Sequence, residues 1–467
     1  MKRRIYQEML EWKKRSNGRT ALMLDGARRV GKSYIAEEFA RNEYAKYLLI
    51  DFSKASAKVK RCFNEYLDDL DTFFMLLESA CHVELTKGES VVIFDEVQRF
   101  PRAREAIKHL VADGRYHYIE TGSLISIQKN VKDILIPSEE RHLEMFPMDF
   151  EEFLGATGNV GAMDVLRHHM EKRKSLGEDL HLHYMDLYRQ YLVVGGMPQA
   201  VSQFVETRNL REVDAVKRDV LALYRSDIHK FGGALRHKVL SVFNAIPSML
   251  SKHEKRFMLA TLAKDARMRE YDAAFEWLKS AMTVNICYRA TEPGMGLGMN
   301  ADVISLKCYL GDTGLLVSQA FDLPAIQSQD IHERLLSGRL SLNKGMIVEN
   351  SVAQMLRASG HPLYFYSNSS RDSAADRMEV DFLVSKPNLT RMHNIIPIEV
   401  KSNREYSAVS LGKFRRKYGD TLHTPIVLHP KDLRTEDGIL YLPLYMTPLI
   451  AEMHSPFTKS DLHIVRT

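Results

Sequence analysis

The sequence predicts an α/β protein in three parts: an N-terminal α/β domain, a helical middle part and a second α/β domain. Three observations support this prediction. A glycine-rich loop at residues 26–33 lies between an apolar segment and a helical one. A second apolar segment ends in Asp95 and Glu96. Two segments near the C-terminus alternate apolar and polar residues, as strands do, and they carry Asp381 and Glu399.

Length and composition agree with this organisation. A chain of 467 residues is long enough for about three domains. We expect an α/β domain over 1–205, a helical or winged-helix-like domain over 206–315 and a second α/β domain over 316–467. The net charge of +5 permits nucleic-acid binding without requiring it.

Cysteine spacing and hydropathy indicate the compartment. The 4 cysteines have no C-x-x-C spacing, which favours a reducing cytoplasm over a disulfide framework or a zinc site. The sequence has neither the apolar core of a signal peptide nor a run that would cross a bilayer. We therefore expect a cytoplasmic protein with no membrane partner.

The loop pattern G-x-x-x-x-G-K-S is that of a phosphate-binding loop. Its backbone N–H groups point at phosphate oxygens, Lys32 reaches the β- and γ-phosphates, and the Ser33 hydroxyl is a Mg²⁺ ligand. A strand predicted at 20–25 and a helix at 33–40 would place the phosphates at a helix N-terminus, which favours anions. The residues expected to bind ATP are Gly26, Ala27, Arg28, Arg29, Val30, Gly31, Lys32 and Ser33.

The segment 90–98 completes this site, because its four apolar residues, 91–94, predict a buried strand that leads into Asp95 and Glu96. Asp95 would hold Mg²⁺, and Glu96 would act as the general base for the attacking water. An adjacent Asp-Glu pair is typical of P-loop enzymes with an extra strand between the loop strand and the acidic strand. Lys46–Asp51 is another candidate strand. The alternative is that the pair is an ordinary strand end.

Two further strands carry candidate sensors of the phosphate. The first, predicted at 116–120, leads to Thr121 and Ser123, either of which would sense the γ-phosphate and water. The second, at 141–148, begins with Arg141, which would stabilise the transferred phosphoryl group in cis or from a partner chain. A surface arginine is the alternative. ATP is favoured over GTP because the sequence has no N-K-x-D signature in register.

The middle part reads as helical between 210 and 282, with helices predicted at Arg236–Leu250, 255–262 and 267–281. Two β-like segments follow at 283–290 and 303–310. Three helices and a hairpin suggest a winged helix, which would bind DNA or serve as a spacer between domains. The mixed charge of the third helix slightly favours the spacer.

The C-terminal third carries a second candidate active site. In strands predicted at 379–384 and 395–402, the period of two places Glu399 and Lys401 on one face. Pairing the strands as a hairpin brings Asp381 beside them. This D…E-x-K constellation is that of restriction-endonuclease-like nucleases, in which carboxylates hold Mg²⁺ and the lysine helps activate water.

A predicted helix at 345–357 carries Glu349, which would complete the metal site. Because the E-x-K pattern is common by itself, the alternative of a binding module with an inactive nuclease fold remains. Basic residues that would contact DNA phosphates follow in the sequence, although a solvated helix face is the alternative for the last four. They are Arg371, Arg377, Lys401, Arg404, Lys413, Arg415, Arg416 and Lys417.

Taken together, these motifs resemble a large prokaryotic family of AAA-type P-loop ATPases fused to a C-terminal restriction-endonuclease-like domain of unknown function. In this chain Glu140 precedes Arg141, where relatives usually have glycine. The matching segments are 3–6, 10–12, 26–33, 94–98, 121–123, 146–153, 195–198, 307–309, 312–315, 348–350, 379–382 and 398–401.

The resemblance implies an AAA+-like P-loop ATPase domain over 1–205 and a nuclease-like domain over 316–467. The protein would then be an ATP hydrolase that uses ATP and Mg²⁺ and is coupled to a DNA-associated domain. A homo-oligomer is one expected assembly. The alternative is a nucleotide-switched module that binds DNA or protein through an inactive nuclease fold. A P-loop kinase fits less well, because of the Asp95–Glu96 pair and the length of the chain.

Overall fold

The computed structural model describes residues 3–122, 139–252, 255–264, 266–294, 296–321, 325–339, 343–368, 376–385 and 395–454. The chain forms two compact units. Unit 1 consists of residues 1–146, 226–236 and 280–282, and unit 2 consists of 147–225, 237–279 and 283–467. No helix in the described ranges is both long and apolar enough to cross a membrane.

Unit 1 is a parallel sheet with helices on both faces. Its elements are α1 (Arg4–Ser16), β1 (Ala21–Gly26), α2 (Lys32–Glu43), β2 (Lys46–Asp51), α3 (Ala57–Glu65), α4 (Leu70–Cys81), β3 (Ser90–Asp95), α5 (Pro101–Asp113), β4 (His117–Gly122) and β5 (Glu140–Met145). The strand order is β2-β3-β4-β1-β5, and all pairs are parallel. The extra strand between the loop strand and the acidic strand is therefore β4, while β2 is an edge strand.

The core of unit 1 follows from continuous apolar strands. Every residue of β1 and of β3 is buried, as expected for a parallel sheet covered on both faces. Leu22 and Leu24 pack with residues of α1 and α2. Met23 and Phe94 pack on the other face with residues of α3, α4 and α5. This three-layer arrangement brings the carboxyl ends of β1, β3 and β4 to one edge of the sheet.

Unit 2 joins helices to a mixed sheet. Its first helices are α6 (Phe150–Ala156), α7 (Ala162–Lys172), α8 (Glu178–Val194), α9 (Pro198–Thr207), α10 (Leu210–Phe231), α11 (Arg236–Leu250) and α12 (Met268–Ser280). Three of them cross the boundary between the units: α10 belongs to unit 1 from residue 226 on, as do the first residue of α11 and the last residue of α12. The remaining elements are β6 (Val284–Ala290), β7 (Ala301–Leu310), α13 (Thr313–Ala320), α14 (Ala325–Leu336), α15 (Lys344–Ala358), β8 (Leu363–Asn368), β9 (Met378–Ser385), β10 (Ile395–Val400), α16 (Val409–Tyr418), β11 (Ile426–His429), β12 (Arg434–Glu436) and β13 (Ile439–Pro443).

The sheet of unit 2 has 8 strands in the order β12-β13-β11-β10-β9-β8-β6-β7. The predicted hairpin is present as β6 and β7, which pair antiparallel. It is not a separate wing, because β6 also pairs with β8 in parallel. A domain boundary at 315/316 would therefore divide one hydrogen-bonded sheet between its neighbouring strands β6 and β8.

One predicted helix, at 255–262, is wrong. The segment contains only a 3₁₀ turn at Leu259–Thr261. The backbone N–H of Phe257 donates to the carbonyl of Leu306 in β7, at 2.8 Å. This bond to a distant strand replaces the local bonding that the apolar spacing predicted.

Two glycines allow close backbone contacts in unit 2. A Cβ atom on Gly196 would lie 1.9 Å from the Met148 carbonyl oxygen, and one on Gly314 would lie 2.4 Å from that of Val194. Asp312 caps α13 and also accepts a hydrogen bond from the Gly196 N–H at 2.6 Å. Gly314 thus lies in the first turn of a helix, where the close approach requires glycine.

Candidate functional site

The phosphate-binding loop of unit 1 connects β1 to α2. Gly31 has φ 102° and precedes the first residue of α2, a left-handed conformation that glycine adopts readily. A Cβ atom on Gly26 would lie 2.6 Å from the carbonyl oxygen of Met145 on β5. The Lys32 ammonium donates to the carbonyls of Gly26 and Ala27, at 2.8 and 3.0 Å. The loop and its lysine therefore curl over the carboxyl end of β1, at the N-terminus of α2.

Asp95 lies where two predicted site residues meet. The Ser33 hydroxyl donates to Asp95 Oδ1 at 2.6 Å, and the Thr121 hydroxyl donates to the same oxygen. The carboxylate lies at the end of β3 and is buried. Thr121 thus fixes the acidic residue, which differs from the sensing contact predicted for it. Ser123, the other candidate sensor, lies outside the described residues.

Glu96 has an unusual backbone and a side-chain partner that sequence reasoning missed. Its φ is 54°, a left-handed conformation that is uncommon for a residue other than glycine. The side-chain amide of Gln98 donates to Glu96 Oε2 at 2.7 Å. The spacing D-E-x-Q was the available signal, since Gln98 lies two positions after Glu96. Gln98 therefore fixes the orientation of the candidate base.

The pKa of Lys32 lies much closer to neutral pH than that of an ordinary lysine. Burial lowers the pKa of Lys32 to about 8, although the negative charges of Glu96, Asp25 and Asp95 oppose that shift. Another loop residue, Arg28, pairs with Asp227 of α10 at 2.5 Å. Asp227 lies in the segment 226–236 of unit 1, and nothing in the local sequence indicated the contact.

Arg141 lies away from the loop within this chain. It is exposed on β5, opposite Leu22, which is four residues before Gly26. At the rise of a β-strand this separation is about 13 Å along the sheet. The predicted role in cis therefore does not fit the geometry, whereas the role in a partner chain stays a prediction.

The residues beside Arg141 form a charged cluster of their own. Glu140 is buried and pairs with Arg104 at 2.8 Å, which explains why a carboxylate occupies this position. His142 Nδ1 lies 2.5 Å from Asp25 Oδ2. Hydrogen bonds to Asp25 and Glu140 raise the pKa of His142 to about 9.

The candidate nuclease residues lie together in unit 2. Lys401 Nζ is 2.6 Å from Glu399 Oε1, and Asp381 Oδ2 accepts a hydrogen bond from the Val400 N–H at 2.8 Å. Strands β9 and β10 pair antiparallel in the register that places Asp381 opposite Glu399. Burial raises the pKa of both carboxyls. The hairpin predicted from the period of two is therefore present.

Glu349 lies on α15 and is buried, and its partners are cations. Lys255 pairs with Oε2, while Lys307 approaches Oε1 at 3.4 Å. Lys307 also lies 3.6 Å from Asp381. Among the described residues, no group of 3 or more His, Cys, Asp and Glu side chains has the arrangement of a metal site. The expected set of Glu349, Asp381 and Glu399 does not converge on one point, because Lys307 lies between two of its members.

Comparison with known families agrees with the geometry of unit 1. Residues 18–154 match the family model described as "AAA domain". Residues 185–325 and 344–446 match models described as "Domain of unknown function (DUF8612)" and "Domain of unknown function (DUF4143)". No curated protein matches the chain.

Solved structures with similarity include a Walker-type ATPase of Pyrococcus abyssi, at 15% identity, a TM-score of 0.38, 68% of this chain and 95% of that chain. The Aeropyrum pernix Orc1 protein in complex with DNA has 11% identity, a TM-score of 0.27 and coverages of 69% and 93%. Drosophila ORC bound to DNA has 13% identity, a TM-score of 0.29 and coverages of 72% and 96%.

Residues 18–154, which match the AAA domain model, include the phosphate-binding loop and strands β1 to β5 of the parallel sheet of unit 1. A match to this model implies nucleotide binding, usually with Mg²⁺.

Proposed function

We propose that this chain hydrolyses ATP at the site formed by residues 26–33, Asp95 and Glu96. The contact that carries the proposal is the hydrogen bond of 2.6 Å from Ser33 to Asp95. A hydroxyl at the start of α2 and a carboxylate at the end of β3 thereby face the same point beside the loop. Oxygen ligands of these two types suit Mg²⁺, which commonly takes only one or two protein ligands and keeps several waters.

The residues divide the chemistry among them. When bound, Mg²⁺ neutralises phosphate charge. Lys32 exchanges the Gly26 and Ala27 carbonyls for phosphate oxygens, since an ammonium gains more from a charged acceptor than from a neutral one. Glu96 accepts the proton of the attacking water, and Gln98 holds the carboxylate in place during that transfer.

The test is steady-state hydrolysis of ATP with Mg²⁺ by the full chain. Glu96→Gln keeps the shape and removes the base, so turnover falls by about 10²-fold or more while ATP still binds. Glu105→Gln, an exposed glutamate on α5, serves as the matched control and leaves turnover unchanged. Lys32→Ala loses ATP binding. Wild-type turnover in Glu96→Gln contradicts the assignment of the base.

For unit 2 the favoured function is binding without cleavage. Lys307 lies among the carboxylates that cleavage would require for a metal ion. The proposed ligand is DNA, and the proposed contacts are Arg415, Arg416 and Lys417, which are exposed at the end of α16. Arg371, predicted as part of the same basic set, lies outside the described residues.

Binding of a labelled duplex by fluorescence anisotropy, with and without ATP, tests this second function. Each lost phosphate contact lowers the slope of log affinity against log salt by about 0.9. Arg416→Glu therefore weakens binding and flattens the slope, whereas Lys279→Glu, on the exposed face of α12, does neither. Equal affinity and slope in Arg416→Glu and in the wild type place the DNA contact elsewhere or reject it.

A further inference from the structure

An ammonium group lies at the centre of the carboxylates of unit 2. Lys307 extends from β7, and 1% of its side chain is exposed. Its Nζ lies 2.8 Å from Glu379 Oε1, 3.4 Å from Glu349 Oε1 and 3.6 Å from Asp381 Oδ1. These three carboxylates come from α15 and β9, two elements that are far apart in sequence from β7. The fold therefore directs three separate negative charges at one buried cation.

The remaining oxygens of Glu349 and Asp381 have other donors, whereas the Glu379 side chain is partly exposed. Glu349 Oε2 pairs with Lys255, and the Tyr309 hydroxyl donates to Glu349 Oε1. Asp381 Oδ2 accepts the Val400 N–H. Burial opposes ionisation of Glu349, but Lys255 and Lys307 lower its pKa to about 2. Both oxygens of Glu349 and both oxygens of Asp381 thus contact protein donors.

A divalent metal does not fit among these groups. Mg²⁺ requires oxygen ligands at about 2.0–2.1 Å in near-octahedral geometry. The oxygens that would supply them face Lys307, so a metal ion there would lie against a buried ammonium. Glu399 has one oxygen without a hydrogen-bond partner in the described parts of the chain, but its other oxygen pairs with Lys401. One such oxygen supplies too few ligands for a metal site.

We propose that Lys307 is the built-in cation of this cluster and takes the place that a divalent metal would occupy between Glu349, Glu379 and Asp381. Lys307 and Lys255 then offset most of the charge of the three carboxylates without a metal ion. Unit 2 consequently has no metal-assisted hydrolysis at Asp381. The inference is independent of ATP hydrolysis by unit 1 and of DNA binding by unit 2.

The experiment titrates Mn²⁺ into the full chain and follows free Mn²⁺ by electron paramagnetic resonance. Asp95→Asn is present throughout, so that the nucleotide site does not contribute. The expected binding curve is the same with and without Asp381→Asn. A Mn²⁺ ion that binds the Asp95→Asn chain and is lost on adding Asp381→Asn overturns the proposal.

A second variant tests the replacement directly. Lys307→Met keeps the length of the side chain and removes its charge, which leaves the carboxylates with Lys255 alone. This variant should gain one Mn²⁺ site and should melt at a higher temperature in Mn²⁺, because a ligand that binds the folded state stabilises it. Lys279→Met, at an exposed position, gains neither. A folded Lys307→Met chain that binds no Mn²⁺ overturns the proposal. If this variant does not fold, the comparison with Asp381→Asn decides.

Discussion

The pH dependence of nucleotide binding follows from the environment of Lys32. With a pKa of about 8 in the nucleotide-free protein, about nine tenths of the lysine is charged at pH 7 and about one tenth at pH 9. Phosphate oxygens favour the ammonium form and raise its pKa in the complex. Binding therefore takes up a proton above pH 8, and affinity for nucleotide falls about tenfold between pH 7 and pH 9.

Isothermal titration calorimetry with MgADP measures both effects, because ADP is not hydrolysed at this site. Titrations in two buffers of different ionisation enthalpy give the proton uptake, expected to approach about one proton at pH 9. Lys32→Arg is the matched control, since a guanidinium stays charged throughout this range and its affinity should not change with pH. A flat profile in the wild type, or an equal fall in Lys32→Arg, refutes the reasoning.

Three further predictions concern the surrounding structure. Protonated His142 stabilises the fold fully below about pH 6.5, and this stabilisation is lost above its folded pKa of about 9. His142→Gln should therefore lower the melting temperature at pH 6 and have little effect at pH 10. An equal loss of melting temperature at both pH values excludes the charged contact with Asp25. Gly314→Ala forces a Cβ against the Val194 carbonyl and lowers the free energy of unfolding by about 3 kcal/mol. Urea denaturation measures this loss against the control Gly412→Ala, whose Cβ would meet no atom within 4 Å. Arg141→Ala leaves ATP turnover within about twofold at protein concentrations that keep the chain monomeric, because losing a transition-state contact to phosphate would lower turnover far more. A loss of turnover that grows with protein concentration indicates that Arg141 acts on the site of a partner chain.

The nucleotide site could be predicted from sequence because its elements are local. Residues 26–33 form one contiguous motif, and Asp95 and Glu96 directly follow the apolar run 91–94 of β3. Buried parallel strands give such runs wherever helices cover both faces, so the pattern indicates the layer as well as the strand. The Asp95–Glu96 pair predicted a strand between β1 and β3, but only the structure showed that this strand is β4.

The contacts around Lys307 could not be predicted in the same way. A lysine within a strand reads as a solvent-facing position, and Glu349 lies 42 residues away from it in the sequence. Glu349 and Asp381 were predicted from the sequence as site residues, but Glu379 and the cation between them were not. The helix predicted at 255–262 was wrong for a related reason. The apolar spacing of this segment fits a helix, but the backbone of Phe257 bonds to a distant strand.

The continuous sheet of unit 2 has a consequence for how such a chain is inherited. The segment that matches at 185–325 contributes β6 and β7, while the segment at 344–446 contributes β8 to β13. Strand β8 bonds to β6 on one side and to β9 on the other. A gene that kept only the second segment would encode β8 with an open edge, which favours aggregation. Recombination that preserves a folded product therefore has to move the two segments together, as one unit of exchange.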